Sequence, residues 1–183
     1  MDEAQLEQNI RLCQQGDRAG FGPIVAAYAD RLLGYLYRML GNRQDAEDCL
    51  QEVFVRVVAT IGNYQHQQKF EGWLFRIAGN LARDRIRRSK LVRFVPMEVA
   101  PESGPRSNES PEHAMHQQEE ADALHAALSK LADDDRQILL LRHFSEMSFK
   151  DIAAELGCPL GTALARAHRA LGKLRGLMKE EAS

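Results

Sequence analysis

Between Pro96 and Pro111 the chain carries four prolines, Gly104 and several serines, with almost no apolar residues. A stretch of that kind cannot bury enough surface to offset the entropy of ordering it. It reads as a flexible acidic linker over 94–111 and divides the chain into two blocks, 1–93 and 112–183. Both blocks show the helical period and neither shows apolar–polar alternation, so no strands are expected. Phe21, Ile24, Val25, Tyr28, Leu32, Leu33, Leu36, Tyr37 and Leu40 recur at three- and four-residue spacing until Gly41-Asn42 stops them. A second helix carries Ala46, Cys49, Leu50, Val53, Phe54, Val57, Val58 and Ile61 on one side and ends at Gly62-Asn63. A third starts near Gly72 with Trp73, Leu74, Ile77, Ala78 and Leu81 inward. In the second block Ala121, Leu124, Leu128 and Leu131 line one helix, and Asp133 or Asp134 can cap the next. The expected fold is all-α, two small helical domains joined by the linker.

The formal net charge of -2 conceals an uneven distribution. From Gly72 to Val95, seven cations face the single carboxylate of Asp84. From Pro96 to Asp135, ten carboxylates oppose Arg106 and Lys130. From Leu160 to Lys179 the five charges are all positive. Two basic blocks separated by an acidic one suit a polyanionic partner better than the net charge suggests.

Three segments carry candidate function. Ser148 to Leu174 has the form of a helix-turn-helix: a short helix with Ile152, Ala153 and Leu156 inward, a turn at Gly157-Cys158-Pro159, then a basic helix. A small residue such as Ala153 lets the second helix cross closely and present its N-terminal half to a major groove. Arg166, His168 and Arg169 would meet bases or phosphates there. A helical hairpin with a solvated basic face accounts for the same pattern. Phe70 to Arg93 couples an aromatic pair, Phe70 and Trp73, to dense arginines. Aromatic rings stack on unpaired bases while arginines follow phosphates; a core position for Trp73 and a solvated face for the arginines is the alternative. Asp45, Asp48 and Glu52 form an acidic stripe on a helix whose other face is apolar, a protein-docking surface or simply a solvated one.

Other chemistries find little support. Cys13, Cys49 and Cys158 are widely spaced, and His113 and His116 form a lone pair beside the linker. Neither implies a metal, and no phosphate-binding loop, nucleophile elbow or zinc-protease motif appears, so an enzyme and a cofactor are not expected. The polar start, Met1-Asp2-Glu3, and the lack of a long apolar run point to a cytoplasmic chain without membrane insertion.

Together the segments closely resemble the extracytoplasmic-function group of sigma-70-type factors. Asp45-Ala46-Glu47-Asp48 with Gln51-Glu52-Val53-Phe54 looks like that group's core-polymerase motif. Phe70, Trp73 through Ala78 and Asn80 through Arg88 look like its −10 segment, and Leu128 through Leu174 like its −35 domain. The resemblance implies a region 2-like domain over 1–93 and a region 4-like domain over 112–183. It implies core RNA polymerase and promoter DNA as partners, and leaves room for an anti-sigma factor. By position, Asp45, Asp48, Gln51 and Glu52 would dock on the polymerase. Lys69, Phe70, Trp73, Arg76, Asn80, Arg83, Arg87 and Arg88 would serve the −10 element. Ser148, Lys150, Thr162, Arg166, His168 and Arg169 would serve the −35 element. One departure stands out. After Gly161-Thr162 the run is Ala163-Leu164-Ala165-Arg166, where the family commonly carries valine, a basic residue, serine and arginine. Leu164 and Ala165 cannot donate the hydrogen bonds of those residues, which predicts weakened or altered −35 reading. A conventional helix-turn-helix regulator, or an adaptor that never touches DNA, remain alternatives at this stage.

Overall fold

The computed structural model describes residues 1–65, 69–92, 121–145 and 147–181. In chain order the helices are α1 (Glu3–Gln14), α2 (Phe21–Leu40), α3 (Arg43–Thr60) and α4 (Phe70–Val92). They continue as α5, helical over the described residues 121–129, α6 (Asp133–Phe144), α7 (Phe149–Glu155) and α8 (Leu160–Glu181). Among the described residues there is no strand.

Local chemistry explains the boundaries. Asp2 and Gln5 close a reciprocal capping box at the start of α1. Gly41 ends α2 at φ 81, a left-handed conformation that costs glycine little, and Asn42 caps α3 by accepting from the Asp45 amide at 2.9 Å. Helix α4 begins at Phe70, two residues before the expected start, which places Phe70 and Trp73 in its first turn. Asp133 and Asp134 do not cap α6: Ala132 occupies that position, and the three aspartates lie in the first turn, where the helix dipole favours them. Ser148 caps α7 through the Asp151 amide, and Gly157 at φ 61 turns the chain towards α8.

In the N-terminal block, α2 inserts Ile24, Tyr28, Leu32, Leu36 and Met39 between α3 and α4. Helix α3 contributes Ala46, Cys49, Val53 and Val57; Val58, expected on the same side, is 57% exposed instead. In the C-terminal block α8 crosses α6 and α7 on Ala163, Ala167 and Ala170, all buried, against Ile152 and Ala153. Small residues at that crossing let the helix axes approach.

The two blocks share one continuous core. Helix α6 lies on α2 and reaches α4. Tyr35 on α2, fully buried, meets Phe75 edge-on at 5.5 Å and Phe144 of α6 at 6.4 Å. Two glycines permit the approach: a Cβ on Gly34 would stand 3.0 Å from the Phe144 ring, and one on Gly79 would stand 2.7 Å from Gln137 Nε2. Arg31 holds Glu71 with two hydrogen bonds, at 2.6 and 3.0 Å, and donates to the Phe144 carbonyl at 2.6 Å. Each large apolar side chain buried at such a contact contributes about 1.5–3 kcal/mol.

Candidate nucleic-acid interface

Arg76, Asn80, Arg83 and Arg87 recur at helical spacing on α4, so their side chains share a face. That face is turned towards the C-terminal block. Arg76 pairs with Glu155 of α7 at 2.6 Å, and Arg83 reaches the other oxygen of the same carboxylate at 3.5 Å while donating to Asn80. The Glu155 side chain is only 5% exposed. Burial pushes its carboxyl above the usual range in spite of the two arginines, so desolvation outweighs the pairing. Lys69 bonds Asp151 at 3.0 Å, and Lys90 pairs with Asp133 of α6. The Ser148 hydroxyl and then Lys69 hold the Asp151 carboxyl below its usual value. Arg87 pairs within its own helix with Asp84 at 2.9 Å. Arg88 is exposed. The structure therefore pairs Lys69, Arg76 and Arg83 with carboxylates of α7 more than seventy residues distant in sequence, and Lys90 with one 43 residues away.

The aromatic pair sits differently from an open stacking platform. Phe70 is 2% exposed and packs in a cluster with Tyr28 at 5.8 Å, Tyr64 at 5.4 Å and Trp73 at 5.5 Å. Trp73 is half-buried and lies 4.8 Å from Tyr64. Beside it is a concavity of about 620 Å³ between the start of α4 and α7, lined by Tyr64, Lys69, Trp73, Arg76, Met147 and Asp151 among others.

On the other side of the N-terminal block, Asp45, Asp48, Gln51 and Glu52 are all exposed along α3. Val55 and Val58 continue the same face at 68% and 57% exposure. Periodicity missed Val55 and assigned Val58 to the buried side; the signal for Val55 is an apolar side chain out of phase with buried Val53 and Val57. Arg85 reaches across from α4 to Glu52 at 3.4 Å and Asp45 at 3.9 Å, leaving Asp48 and Gln51 as the outer edge.

The helix-turn-helix is formed by α7 and α8. Ser148 is engaged in capping and also donates to the Asp151 carboxylate at 2.6 Å. Lys150 is exposed on α7, Thr162 is half-buried, and His168 and Arg169 are exposed on α8. Arg166 is half-buried and pairs with Asp134 of α6 at 3.1 Å. Leu160 and Leu164 are each 45% exposed, and Ala165 is exposed beside them.

Among the described residues no cluster of histidine, cysteine and carboxylate side chains could hold a metal; His113 and His116 lie outside those residues. Cys49 is buried in the core, which pushes its thiol up to about 11. Among the described residues no helix is long and apolar enough to cross a membrane.

Comparison with known proteins matches the family model described as Sigma-70 region 2 to residues 24–92 and the one described as Sigma-70, region 4 to residues 121–174. The chain is 34% identical over 185 residues to the ECF RNA polymerase sigma factor SigW of Bacillus subtilis (strain 168), covering 97% of this chain and 99% of that one. It is 32% identical to the RNA polymerase sigma-H factor of Pseudomonas aeruginosa, covering 93% and 92%. In fold it is similar to CnrH, solved in complex with the cytosolic domain of CnrY, with a TM-score of 0.70 at 23% identity over 96% of this chain and 98% of that one.

Proposed function

The chain belongs to the extracytoplasmic-function sigma factors of the sigma-70 family, and we infer on that premise that it binds core RNA polymerase and directs promoter-specific initiation through three surfaces of its own. It is an initiation factor that contributes placement and specificity, working in the cytoplasm with the polymerase. One observation carries the residue-level reading: a single chain presents an acidic face with an apolar continuation on α3, a basic face on α4 and a second basic helix at α8. A conventional helix-turn-helix regulator would have no use for the first of these.

The division of labour follows from chemistry. Asp48, Gln51 and Glu52, with Val55 behind them, form the docking surface for the polymerase: carboxylates select a basic partner and the valine supplies apolar area to bury. Arg76, Arg83, Arg87 and Arg88 hold phosphates around the −10 element, with Asn80 among them and Lys69 and Trp73 at the concavity beside α7. Phe70 supports that concavity from the core. Capturing an unpaired base there must offset a few kcal/mol of unstacking. Lys150, His168 and Arg169 approach the −35 element with α8, while Ser148 and Thr162 fix the turn that aims it, and Arg166 joins them when it leaves Asp134.

The arrangement seen is a closed one. Arg76, Arg83, Lys69 and Lys90 are drawn to Glu155, Asp151 and Asp133 and must leave them to pair fully with phosphates. Seating α3 on the polymerase and spacing the two promoter elements along DNA would draw the blocks apart, with the linker over 94–111 as the tether between domains 1–93 and 112–183. An anti-sigma factor that held the closed form would silence the chain. The test is capture of core polymerase: the wild-type chain co-elutes, and Asp48→Lys with Glu52→Lys abolishes co-elution while the chain still unfolds cooperatively, at a temperature lowered only by the loss of the exposed Arg85–Glu52 pair. Unchanged co-elution would remove α3 from the docking surface.

A further inference from the structure

The exposed side chains at the start of α8, Leu160, Leu164 and Ala165, cannot donate hydrogen bonds. Leu160 and Leu164, one turn apart, are each 45% exposed, and Gly161 and Ala165 are exposed between and beside them. The arginine that follows, Arg166, is turned away to Asp134 at 3.1 Å. Nearly half of each leucine is left open to solvent, because Ala163, Ala167 and Ala170 form the buried side of the helix. Exposed basic side chains lie on the same two helices, Lys150 on α7 and Arg169 on α8, and every formal charge from Leu160 to Lys179 is positive.

An apolar strip on a helix whose formal charges are all positive matches one feature of duplex DNA. Within the major groove the only apolar group on a base edge is the thymine 5-methyl, and phosphates flank it on both sides. A polyanion matches the positive charge of α8 along its whole length, which favours duplex DNA over a second copy of this chain. Leu160 and Leu164 are separated by about 6 Å along the helix axis, close to two base steps of about 3.4 Å. We propose that Leu164, seconded by Leu160, is a specificity-determining residue that reads thymine methyl groups, within a span of about two base steps, in the −35 element. This rests on the sigma-factor reading and adds to it the chemical group recognised. Base choice at these positions is set by burial of a methyl group, where a basic residue and a serine would have set it by hydrogen bonds.

The experiment uses holoenzyme assembled from this chain and core polymerase. A randomised −35 pool is selected, and each enriched thymine is then replaced by deoxyuridine, which removes the methyl and nothing else. The expected result is thymine enrichment opposite α8 and binding weaker by roughly fourfold per methyl removed. Leu164→Ala should bind thymine and deoxyuridine promoters equally, and Leu164→Arg should shift selection towards guanine. Because Leu164 is exposed, both variants should melt as the wild type does. Deoxyuridine without effect on the wild type, or a thymine preference that survives Leu164→Ala, would overturn the proposal. So would a change in oligomeric state on Leu164→Ala with no change in base preference, since the strip would then be a protein contact. Absence of any promoter-specific complex would instead remove the sigma-factor reading, and this inference with it.

Discussion

The contact between Tyr35 and Gln137 offers a quantitative test of how the two blocks hold each other. Both residues are fully buried, and the Gln137 amide reaches the Tyr35 hydroxyl at 3.5 Å, a long bond. The Gln137 carbonyl oxygen has no partner among the described residues, and burial holds the Tyr35 phenol well above its ordinary value. A Cβ at Gly79 would stand 2.7 Å from Gln137 Nε2 and 3.1 Å from the Tyr35 hydroxyl, so no larger side chain can fill the gap without moving the helices. Tyr35→Phe leaves the whole glutamine amide unmatched and should cost about 1 kcal/mol; Gln137→Met strands the hydroxyl and should cost a similar amount. The double variant removes every mismatched polar atom while keeping shape, so it should match or exceed the wild type by up to about 2 kcal/mol. Thermal melts read this as a fall of roughly 2–4 °C for each single change and a recovery or gain for the pair. A tighter closed form must also be opened at greater cost, so the double variant should need more core polymerase and promoter for half-maximal complex, about tenfold for each 1.4 kcal/mol gained. Additive losses, with the double variant less stable than either single one, would refute the claim that this contact is a polar mismatch inside the shared core.

Other outcomes follow from charged groups at the same junction. Glu155→Lys places a third cation against Arg76 and Arg83 and should raise the radius of gyration of the free chain in small-angle scattering; an unchanged radius contradicts the closed arrangement. Glu155→Gln removes the titrating carboxyl while keeping its shape, so it should not open the chain as the lysine does. Wild-type stability should rise as pH falls through the raised folded value towards 4.5, and the glutamine variant should lack that rise. His125, stacked on Tyr37 at 4.7 Å, is pushed below 6.5 first by burial and then by Arg136 and Arg38. The unfolded chain therefore takes the proton more readily, and stability is lost as pH falls from about 6.5 through the depressed folded value. His125→Phe should flatten that part of the melting profile. Gly41→Ala must adopt φ 81 at the end of α2 and should destabilise by about 1 kcal/mol in the same assay.

The sequence makes the helices legible because their stops are local: Gly41, Asn42, Ser148 and Gly157 declare themselves within a few residues of what they terminate. It makes one buried stripe per helix legible, and there the reading falls short. Tyr35, Met39 and Phe75 lie outside the expected stripes of α2 and α4 yet are fully buried or nearly so, because α6 covers a second side of those helices. A period counts one face; it does not announce a neighbour arriving from a hundred residues away. Charge behaves the same way. The arginines of α4 read as an open basic run, and nothing local in the sequence ties Arg76 or Arg83 to Glu155. Aspartate before an apolar run suggests a cap, but with Asp133, Asp134 and Asp135 in succession the backbone chose Ala132 for that position, and Asp133 went to Lys90 and Arg136. Leu164 is legible in the sequence, since a leucine where hydrogen-bond donors are expected is a local anomaly, and its exposure gives that anomaly a surface to act on.

Transcription in vitro from a promoter pool by core RNA polymerase, with and without this chain, bears on all of this at once. Core alone should produce no discrete start sites, and adding the chain should yield starts at a fixed distance downstream of paired −35 and −10 elements, with Asp48→Lys plus Glu52→Lys returning the pattern to that of core alone. Identical transcripts in the presence and absence of the folded chain would contradict the account.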